Sequence, residues 1–213
     1  MSEAQREKQP FFSVILPVYN QPKLVLRALA SLQAQDFQDW ECWIIDDGST
    51  DATPAVIQRW IQQEPRCRLV HLPQNRGAAT ARNQGIALAQ GTFVTFLDAD
   101  DWYHPAHLQR RWLYAHLYPE VMWFYGGVQV IGDPYVPDVR DPRRKIHVRH
   151  CIIGATFVIR RSLLRDIGGF PAVRYGEDYF LFHRLRRRGI TPYPVPHATY
   201  VYDRTHSRTT RLR

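Results

Sequence analysis

The chain has 213 residues, 45% hydrophobic and 13% aromatic, which is enough apolar material for one substantial core but little for two. No stretch approaches the roughly 20 apolar residues that cross a bilayer, and the N-terminus lacks a secretory apolar region, so we expect a soluble cytoplasmic protein. The net charge of +8 is concentrated in residues 141–213, and three cysteines without a metal-type pair predict reduced packing residues.

The first half of the chain alternates short apolar runs with segments of helical periodicity. After the first run, apolar residues recur at helical spacing at Leu24, Ala28, Leu29 and Leu32. The predicted strands are 11–19, 40–46, 68–72 and 92–101, and the predicted helices are 24–35, 54–63 and 78–89. Strands that alternate with helices predict an α/β fold, a Rossmann-like doubly wound, mostly parallel sheet with helices on both faces.

The second half is less regular. A helix is predicted from Pro105 to about Tyr118, and residues 122–131 are predicted as one strand. Residues 132–149 are rich in Pro, Asp and Arg without periodicity, which predicts a long, mobile surface loop. The remaining predictions are a strand at 155–160, helices at 160–169 and 177–189, and an extended segment at 192–204.

Polar residues follow three of the four strands predicted in the first half. In a doubly wound sheet, ligands bind beyond the carboxyl ends of the strands, where loops and helix N-termini converge. The candidates are Pro17, Tyr19 and Asn20 after the first strand, Asp46 and Asp47 after the second, and Asp98, Asp100 and Asp101 after the fourth. Each set alone also fits ordinary turn or helix-cap chemistry, which stays open at this point.

The acidic cluster FLDADD favours a metal. Three carboxylates within four residues repel one another unless a cation neutralises them. Mg²⁺ and Mn²⁺ prefer hard oxygen ligands, and Mg²⁺ is commonly held by one or two carboxylates together with substrate phosphates. We therefore expect Mn²⁺ or Mg²⁺ to bridge the protein and a nucleotide diphosphate, and to stabilise the charge that develops on a departing diphosphate.

Five segments together resemble the family 2 glycosyltransferases, which have the GT-A fold and invert the anomeric centre. These segments are SVILPVYNQPKLVLRALASLQAQ, WIIDDGSTDAT, NRGAATARNQGI, GTFVTFLDADD and GGFPAVRYGEDYFLFHRLRRRG, in the order and at the spacing of that family. The resemblance implies transfer of a hexosyl or related sugar from a nucleotide-diphosphate donor to an acceptor hydroxyl. It also implies a flexible stretch at 1–10 and one domain at 11–213, with a nucleotide-binding half at 11–101 and an acceptor-binding half at 102–213.

The resemblance also implies donor contacts. Pro17, Tyr19 and Asp47 match positions that hold the base and ribose, which favours uridine because Asp47 would accept a hydrogen bond from an imide N–H. The other implied donor-binding positions are Asn20, Asp46, Asn75, Arg76, Gly77, Arg82, Asn83 and Asp98. A glycine lets the backbone approach a ligand and an arginine suits phosphate, although an ordinary helix start after a glycine is the alternative for Arg82 and Asn83.

The metal and catalytic positions follow from the same resemblance. Asp100 matches the principal metal ligand of the DxD motif, joined by Asp98 or Asp101, and His206 matches a late histidine near the metal in some relatives. Of the pair Glu177 and Asp178, Asp178 matches the general base that takes the proton of the acceptor hydroxyl. The alternatives are that acids favour a helix N-terminus, and that a lone histidine in a tail is exposed.

Other functions remain as alternatives. A sugar nucleotidyltransferase needs a glycine-rich loop near the first strand, which PVYNQPKL lacks, and a catalytically silent nucleotide- or carbohydrate-binding module would not need intact acids. Nucleic-acid binding ranks last, because the basic segment lacks aromatic motifs. We expect single transfers in glycan or cell-envelope polysaccharide biosynthesis, to a glycan, lipid-linked or small-molecule acceptor. Basic segments at 143–149 and 184–188 suggest an anionic acceptor or peripheral contact with the inner face of a membrane.

Overall fold

The computed structural model describes residues 9–173 and 175–205. The strands are β1 (Phe12–Val18), β2 (Trp40–Asp46), β3 (Cys67–His71), β4 (Phe93–Phe96), β5 (Trp102–Tyr103), β6 (Trp123–Tyr125), β7 (Val128–Ile131), β8 (Tyr135–Pro137), β9 (Lys145–His147), β10 (Val158–Arg160), β11 (Tyr193–Pro194) and β12 (Tyr200–Asp203). The helices are α1 (Leu24–Gln33), α2 (Thr53–Ile61), α3 (Ala78–Leu88), α4 (His107–Leu117), α5 (Arg161–Asp166) and α6 (Glu177–Arg187).

The main sheet has seven strands in the order β11-β6-β10-β4-β1-β2-β3. Strand β1 lies inside the sheet, parallel to β2 on one side and to β4 on the other, with Val18 opposite Asp46. Only β10 runs antiparallel, between β4 and β6. The prediction of an α/β fold with a mostly parallel sheet is confirmed, and the carboxyl ends of β1, β2 and β4 meet at one edge.

Helices cover both faces of this sheet. Along β1, Val14 and Leu16 pack into a core with α1 and α4, while Ile15 between them packs into a second core with α3, α5 and α6. This alternation is the two-residue period of a strand that is buried on both faces. Helix α1 buries one stripe at helical spacing: Val25, Ala28, Leu29 and Leu32. The predicted stripe differs at one position, since Leu24 is only half-buried and Val25 is buried instead.

The predicted single strand at 122–131 is two strands in different sheets. Strand β6 belongs to the main sheet, whereas β7 pairs with β12 in a separate sheet of order β5-β12-β7. The chain changes direction at Gly126 and Gly127, whose φ angles are 104° and 76°. A side chain at Gly127 would place its Cβ 2.0 Å from the carbonyl oxygen of His197, so only glycine allows this turn.

The prediction of a surface loop at 132–149 is also wrong in part, because this segment contains the antiparallel hairpin β8–β9. Val136 and Val148 of this region are buried. Tyr175 donates a hydrogen bond of 2.9 Å to the carbonyl oxygen of Pro137, which fixes the hairpin to the segment before α6. Within residues 9–173 and 175–205, no helix has the length and hydropathy of a membrane span.

Candidate active site

One cleft of about 790 Å³ lies at the carboxyl ends of β1, β2 and β4. Its far wall comes from the β8–β9 hairpin, residues 150–155 and the start of α6, so both halves of the chain line it. Ten of the site residues proposed from the sequence line this cleft: Pro17, Tyr19, Asp47, Asn75, Gly77, Arg82, Asp98, Asp100, Glu177 and Asp178. The fold thus brings together acids that are up to 131 positions apart in the sequence.

Asp47 is held at the floor of the cleft by backbone groups. Its Oδ1 accepts a hydrogen bond of 2.9 Å from the amide of Arg76, and its Oδ2 accepts one of 2.7 Å from the amide of Gly77. Burial raises the pKa of Asp47 despite these two donors. The carboxylate therefore fixes the loop before α3 and also faces the cleft, beside the half-exposed ring of Tyr19.

Two predicted donor-binding side chains lie behind this floor instead of lining the cleft. Asp46 is fully buried, accepts a hydrogen bond of 3.1 Å from the amide of Ser49, and contacts His71 Nδ1 at 2.6 Å. Asn20, in the left-handed region at φ 51°, accepts a hydrogen bond of 2.9 Å from the amide of Thr50. Asn20 thus connects the loops after β1 and β2, whereas Asp46 connects the loop after β2 to the end of β3.

Two further predicted residues, Asn83 and Arg76, also fall outside the lining. Asn83 exchanges two hydrogen bonds with the backbone of Phe170, of 2.9 and 2.8 Å, and so joins α3 to the segment before α6. Arg76 contributes its backbone amide to Asp47, and its side chain is not part of the cleft wall. His206 lies outside the described residues.

Arg82 connects the two walls of the cleft. This buried guanidinium donates to Asp98 Oδ1 at 2.6 Å through one terminal nitrogen and to Glu177 Oε1 at 2.5 Å through the other. Burial acts to lower the pKa of Arg82, but the charges of Asp98 and Glu177 outweigh it and raise that pKa above its usual value. One buried cation therefore holds the acid after β4 and the first acid of α6 in a fixed relation.

Asp98 and Asp100 both face the cleft after β4. Burial, followed by the charge of Asp98, raises the pKa of Asp100 to about 6. Arg27 donates a hydrogen bond to the backbone oxygen of Asp100. This hydrogen bond fixes the loop and does not involve the carboxylate of Asp100. Two like charges at this position favour a cation.

Asp101 has a different environment from the other two acids of the cluster. It is fully buried, accepts a hydrogen bond of 2.5 Å from the hydroxyl of Tyr200 and one of 2.8 Å from the amide of Asp203, and does not line the cleft. Burial and the charges of Asp98 and Asp100 raise its pKa well above the usual value. We therefore interpret Asp101 as the residue that fixes the acidic loop to β12, not as a metal ligand.

The acids of the cleft fit a divalent cation that is shared with a substrate. In the part of the chain that the structure describes, no three or more His, Cys, Asp or Glu side chains form a complete metal site. Asp98 and Asp100 supply hard oxygen ligands from neighbouring positions on the cleft surface. This donor set suits Mg²⁺ or Mn²⁺, which commonly take one or two carboxylates and complete their coordination with phosphate oxygens and water.

Asp178 occupies the opposite wall, in the first turn of α6. Its Oδ2 accepts a hydrogen bond of 3.1 Å from the amide of Gly154, and its Oδ1 accepts one of 2.7 Å from the amide of Tyr179. Burial, followed by the charge of Glu177, raises the pKa of Asp178 to about 6. A carboxylate with this pKa is ionised at neutral pH yet basic enough to take a proton from a hydroxyl.

Sequence reasoning missed the residues that support the acidic loop from behind. Arg27 forms an ion pair of 2.8 Å with Asp203, and its guanidinium lies 4.1 Å above the ring of Trp102. Tyr200 lies on the same strand as Asp203 and reaches Asp101. No local pattern marks these side chains, because their role depends on the pairing of β12 with β5 and β7.

Comparisons with known proteins agree with this geometry. The model of the family described as "Glycosyl transferase family 2" matches residues 13–168. Escherichia coli K12 WcaA, assigned to colanic acid biosynthesis as a glycosyl transferase, is 30% identical over 94% of this chain and 75% of its own. WfgD of Escherichia coli, a UDP-Glc:alpha-D-GlcNAc-diphosphoundecaprenol beta-1,3-glucosyltransferase, is 30% identical over 80% of this chain and 67% of its own.

A solved structure supports the same assignment. The mannosyltransferase PcManGT of Pyrobaculum calidifontis, in complex with GDP-Man and Mn²⁺, superposes with a TM-score of 0.72 at 25% identity over 92% of this chain. This chain spans 57% of that chain. The mostly parallel central sheet with helices on both faces agrees with the GT-A fold. The chain therefore belongs to glycosyl transferase family 2.

Proposed function

We propose that this glycosyltransferase transfers a sugar from a uridine diphosphate donor to an acceptor hydroxyl, with a divalent metal and with inversion of the anomeric carbon. One observation carries the proposal. The cleft has Asp98 and Asp100 on one wall and Asp178 on the other, and Arg82 connects the walls. A donor diphosphate beside the first wall would present its sugar to the base on the second.

The nucleotide lies against the loops after β1 and β2. Asp47 supplies an acceptor for the imide N–H of uracil, because a carboxylate oxygen can accept a second hydrogen bond beside its backbone donor. Pro17 and Tyr19 flank this position in the cleft, and Asn75 and Gly77 complete it. The name of WfgD specifies a UDP-sugar donor, which supports uridine, while the GDP-Man complex of PcManGT shows that the fold also accepts a purine.

Asp98 and Asp100 would hold the metal. When bound, Mn²⁺ or Mg²⁺ neutralises the charge that develops on the departing diphosphate. The Mn²⁺ in the PcManGT complex supports this assignment. The protein itself would present two carboxylates at fixed positions. Arg27 contacts the backbone of Asp100 and Arg82 forms a salt bridge with Asp98, and these two contacts keep the carboxylates in place.

Asp178 acts as the general base. A sugar hydroxyl is a weak nucleophile, so a carboxylate within hydrogen-bond reach must take its proton as the new bond forms. The amides of Gly154 and Tyr179 orient Asp178, and Glu177 is occupied by Arg82, which leaves Asp178 as the base. One direct displacement, with the hydroxyl attacking opposite the leaving diphosphate, inverts the anomeric carbon.

The two halves of the chain would bind different substrates. Residues 11–101 bind the nucleotide and residues 102–213 form the acceptor side, within one domain whose main sheet receives strands from both. WcaA is assigned to colanic acid biosynthesis and the name of WfgD specifies a lipid-linked acceptor. We therefore place this chain in polysaccharide biosynthesis, acting on a glycan or lipid-linked acceptor near the inner face of the membrane.

A hydrolysis screen tests the proposal without knowledge of the acceptor. The purified protein is incubated with a panel of UDP- and GDP-sugars and Mn²⁺, and the released nucleotide diphosphate is measured. We expect slow hydrolysis of a UDP-sugar that a chelator abolishes and that Asp100→Asn reduces. Preference for GDP-sugars would refute the uridine assignment, full activity with chelator would refute the metal, and donor binding without hydrolysis or transfer would indicate a silent binding module.

A further inference from the structure

Beyond Asp178, the cleft continues into a region that the donor does not need. Its wall is aliphatic and comes from the β8–β9 hairpin and the residues that follow it: Val136, Val139, Ile146, Val148, Ile152 and Ile153. Three cationic or titratable side chains stand among them, namely Arg140, His150 and His183. We call these nine residues the acceptor wall.

Arg140 stands over the start of α6 and is exposed to solvent. Its Nε donates a hydrogen bond of 3.2 Å to the hydroxyl of Tyr179, and its guanidinium lies 5.8 Å from that ring. The ring of His183 lies 4.2 Å from the same tyrosine ring. Tyr179 directly follows Asp178, so Arg140 and the ring of His183 are placed next to the proposed base.

Two of the acids in this region already accept hydrogen bonds from other groups. The carboxylate of Asp138, which also lines the cleft, accepts a hydrogen bond of 2.9 Å from the backbone amide of Arg140. Glu177 is bound by Arg82. In the described part of the chain, no carboxylate forms a salt bridge with the terminal guanidinium nitrogens of Arg140. These nitrogens can therefore bind an anion.

The basic runs that stand out in the sequence are used elsewhere. Arg143 pairs with Asp141 at 2.8 Å on the surface, and Arg184 donates to the carbonyl oxygens of Ile167 and Gly169 at 3.0 and 3.1 Å. Neither lines the cleft. The cationic character of the acceptor wall therefore comes from residues that the charge runs do not indicate.

We propose that the acceptor wall binds an acceptor whose sugar is attached through a phosphate or diphosphate to an aliphatic chain. Arg140 with His183 binds the phosphate oxygens, and the aliphatic side chains contact the first part of the chain. Aliphatic side chains contribute little to the binding of a neutral glycan, whereas a cation beside aliphatic side chains complements a phosphate-bearing amphiphile. The inference deepens the proposed function and rests on it.

Three acceptors with the same sugar separate the contributions: an alkyl diphosphate-linked sugar, the sugar diphosphate without the chain, and a neutral alkyl glycoside. With each, transfer from the donor found in the screen is measured at varied acceptor concentration. We expect the first to have the lowest KM, and Arg140→Gln to raise that KM about tenfold with kcat little changed, which corresponds to one charge-assisted contact. Arg140→Lys, which keeps the charge, should recover part of the loss.

The controls distinguish failure of this inference from failure of the proposed function. Donor hydrolysis without acceptor should be the same in Arg140→Gln as in the unchanged protein, and Arg187→Gln, an exposed change on α6 outside the cleft, should alter neither KM nor hydrolysis. If the neutral glycoside serves as well as the diphosphate, or if the KM does not respond to Arg140→Gln, the acceptor wall is refuted. If no nucleotide sugar is hydrolysed at all, the proposed function itself fails.

Discussion

At the scale of single residues, Asp178 is a buried carboxylate with a raised pKa, which suits a base. It lies on the opposite wall of the cleft from Asp98 and Asp100, which would hold the metal. Asp178→Asn keeps the shape and removes the basic oxygen. We expect transfer to fall by about 10²- to 10⁴-fold, the usual contribution of general base catalysis. UDP affinity, measured by calorimetry with Mn²⁺, should stay nearly the same. Unchanged transfer in this variant would move the base to Glu177 or to another residue.

The pKa of Asp178 gives the pH dependence of transfer a definite sign. Only the ionised carboxylate can take a proton, and its pKa is raised to about 6. Transfer should therefore be constant at neutral pH and fall about tenfold per unit as the pH drops below 6, since the protonated fraction then grows. Single-turnover transfer at saturating donor isolates this step from donor binding. A rate that is independent of pH down to 5 would contradict the assignment.

Asp100 and Asp101 are adjacent, yet the structure predicts opposite consequences for them. Asp100→Ala should weaken Mn²⁺-dependent UDP binding without lowering the free energy of unfolding in the absence of ligand, because it removes a repelled carboxylate. Asp101→Ala should lower the free energy of unfolding by about 1 to 3 kcal/mol, because it leaves two buried donors, the hydroxyl proton of Tyr200 and the amide of Asp203, without their acceptor.

Urea denaturation of the two variants without ligand, together with calorimetric titration of UDP, checks both expectations. Tyr200→Phe serves as a second variant, since it removes the contact with Asp101 from the other side and should reproduce part of the loss in Asp101→Ala. It also removes the hydroxyl that accepts a hydrogen bond of 3.3 Å from the amide of Asp98. A stable Asp101→Ala that has lost metal-dependent binding would instead return Asp101 to the metal.

At the scale of elements, the first half of the fold follows closely from the sequence. Residues in β1, β2 and β4 are apolar runs bounded by turn residues, and the intervening helices have a clear period, so local patterns suffice. The fold of the second half does not follow from local patterns, because β7, β11 and β12 are short strands whose pairing depends on distant partners. The polar residues at the strand ends were predictable, whereas Tyr200 behind Asp101 was not.

The short helical turn Gly154–Thr156 packs closely against the start of α6. A Cβ added at Gly154 would lie 2.6 Å from the Cβ of Asp178, and the Gly154 amide donates to Asp178 Oδ2. Gly154→Ala should displace the base and reduce transfer by up to about 10²-fold, as misplacement by about 1 Å does. UDP affinity should not change, and acceptor-independent hydrolysis is the second control. Equal transfer in the variant would show that the turn can yield.

At the scale of the whole molecule, the site exists only when both halves are folded together. The first half of the chain supplies Asp47, Asp98 and Arg82, the second half supplies Asp178 and Glu177, and the contact from Arg82 to Glu177 joins the two. In addition, β10 from the second half pairs directly with β4 from the first. The sequence places these residues in separate segments, and only the sheet order brings them to one cleft, which is why the bridge by Arg82 could not be foreseen.

This shared site predicts that the chain unfolds as one unit and that the ligand stabilises all of it. Scanning calorimetry should give a single transition, and UDP with Mn²⁺ at 100 times Kd should raise the free energy of unfolding by about 2.7 kcal/mol, by mass action on the folded state. The fluorescence of Trp43 in the first half and Trp123 in the second, each isolated by Trp→Phe changes, should shift together. Two transitions, of which the ligand moves only the one reported by Trp43, would instead establish an independent nucleotide-binding domain.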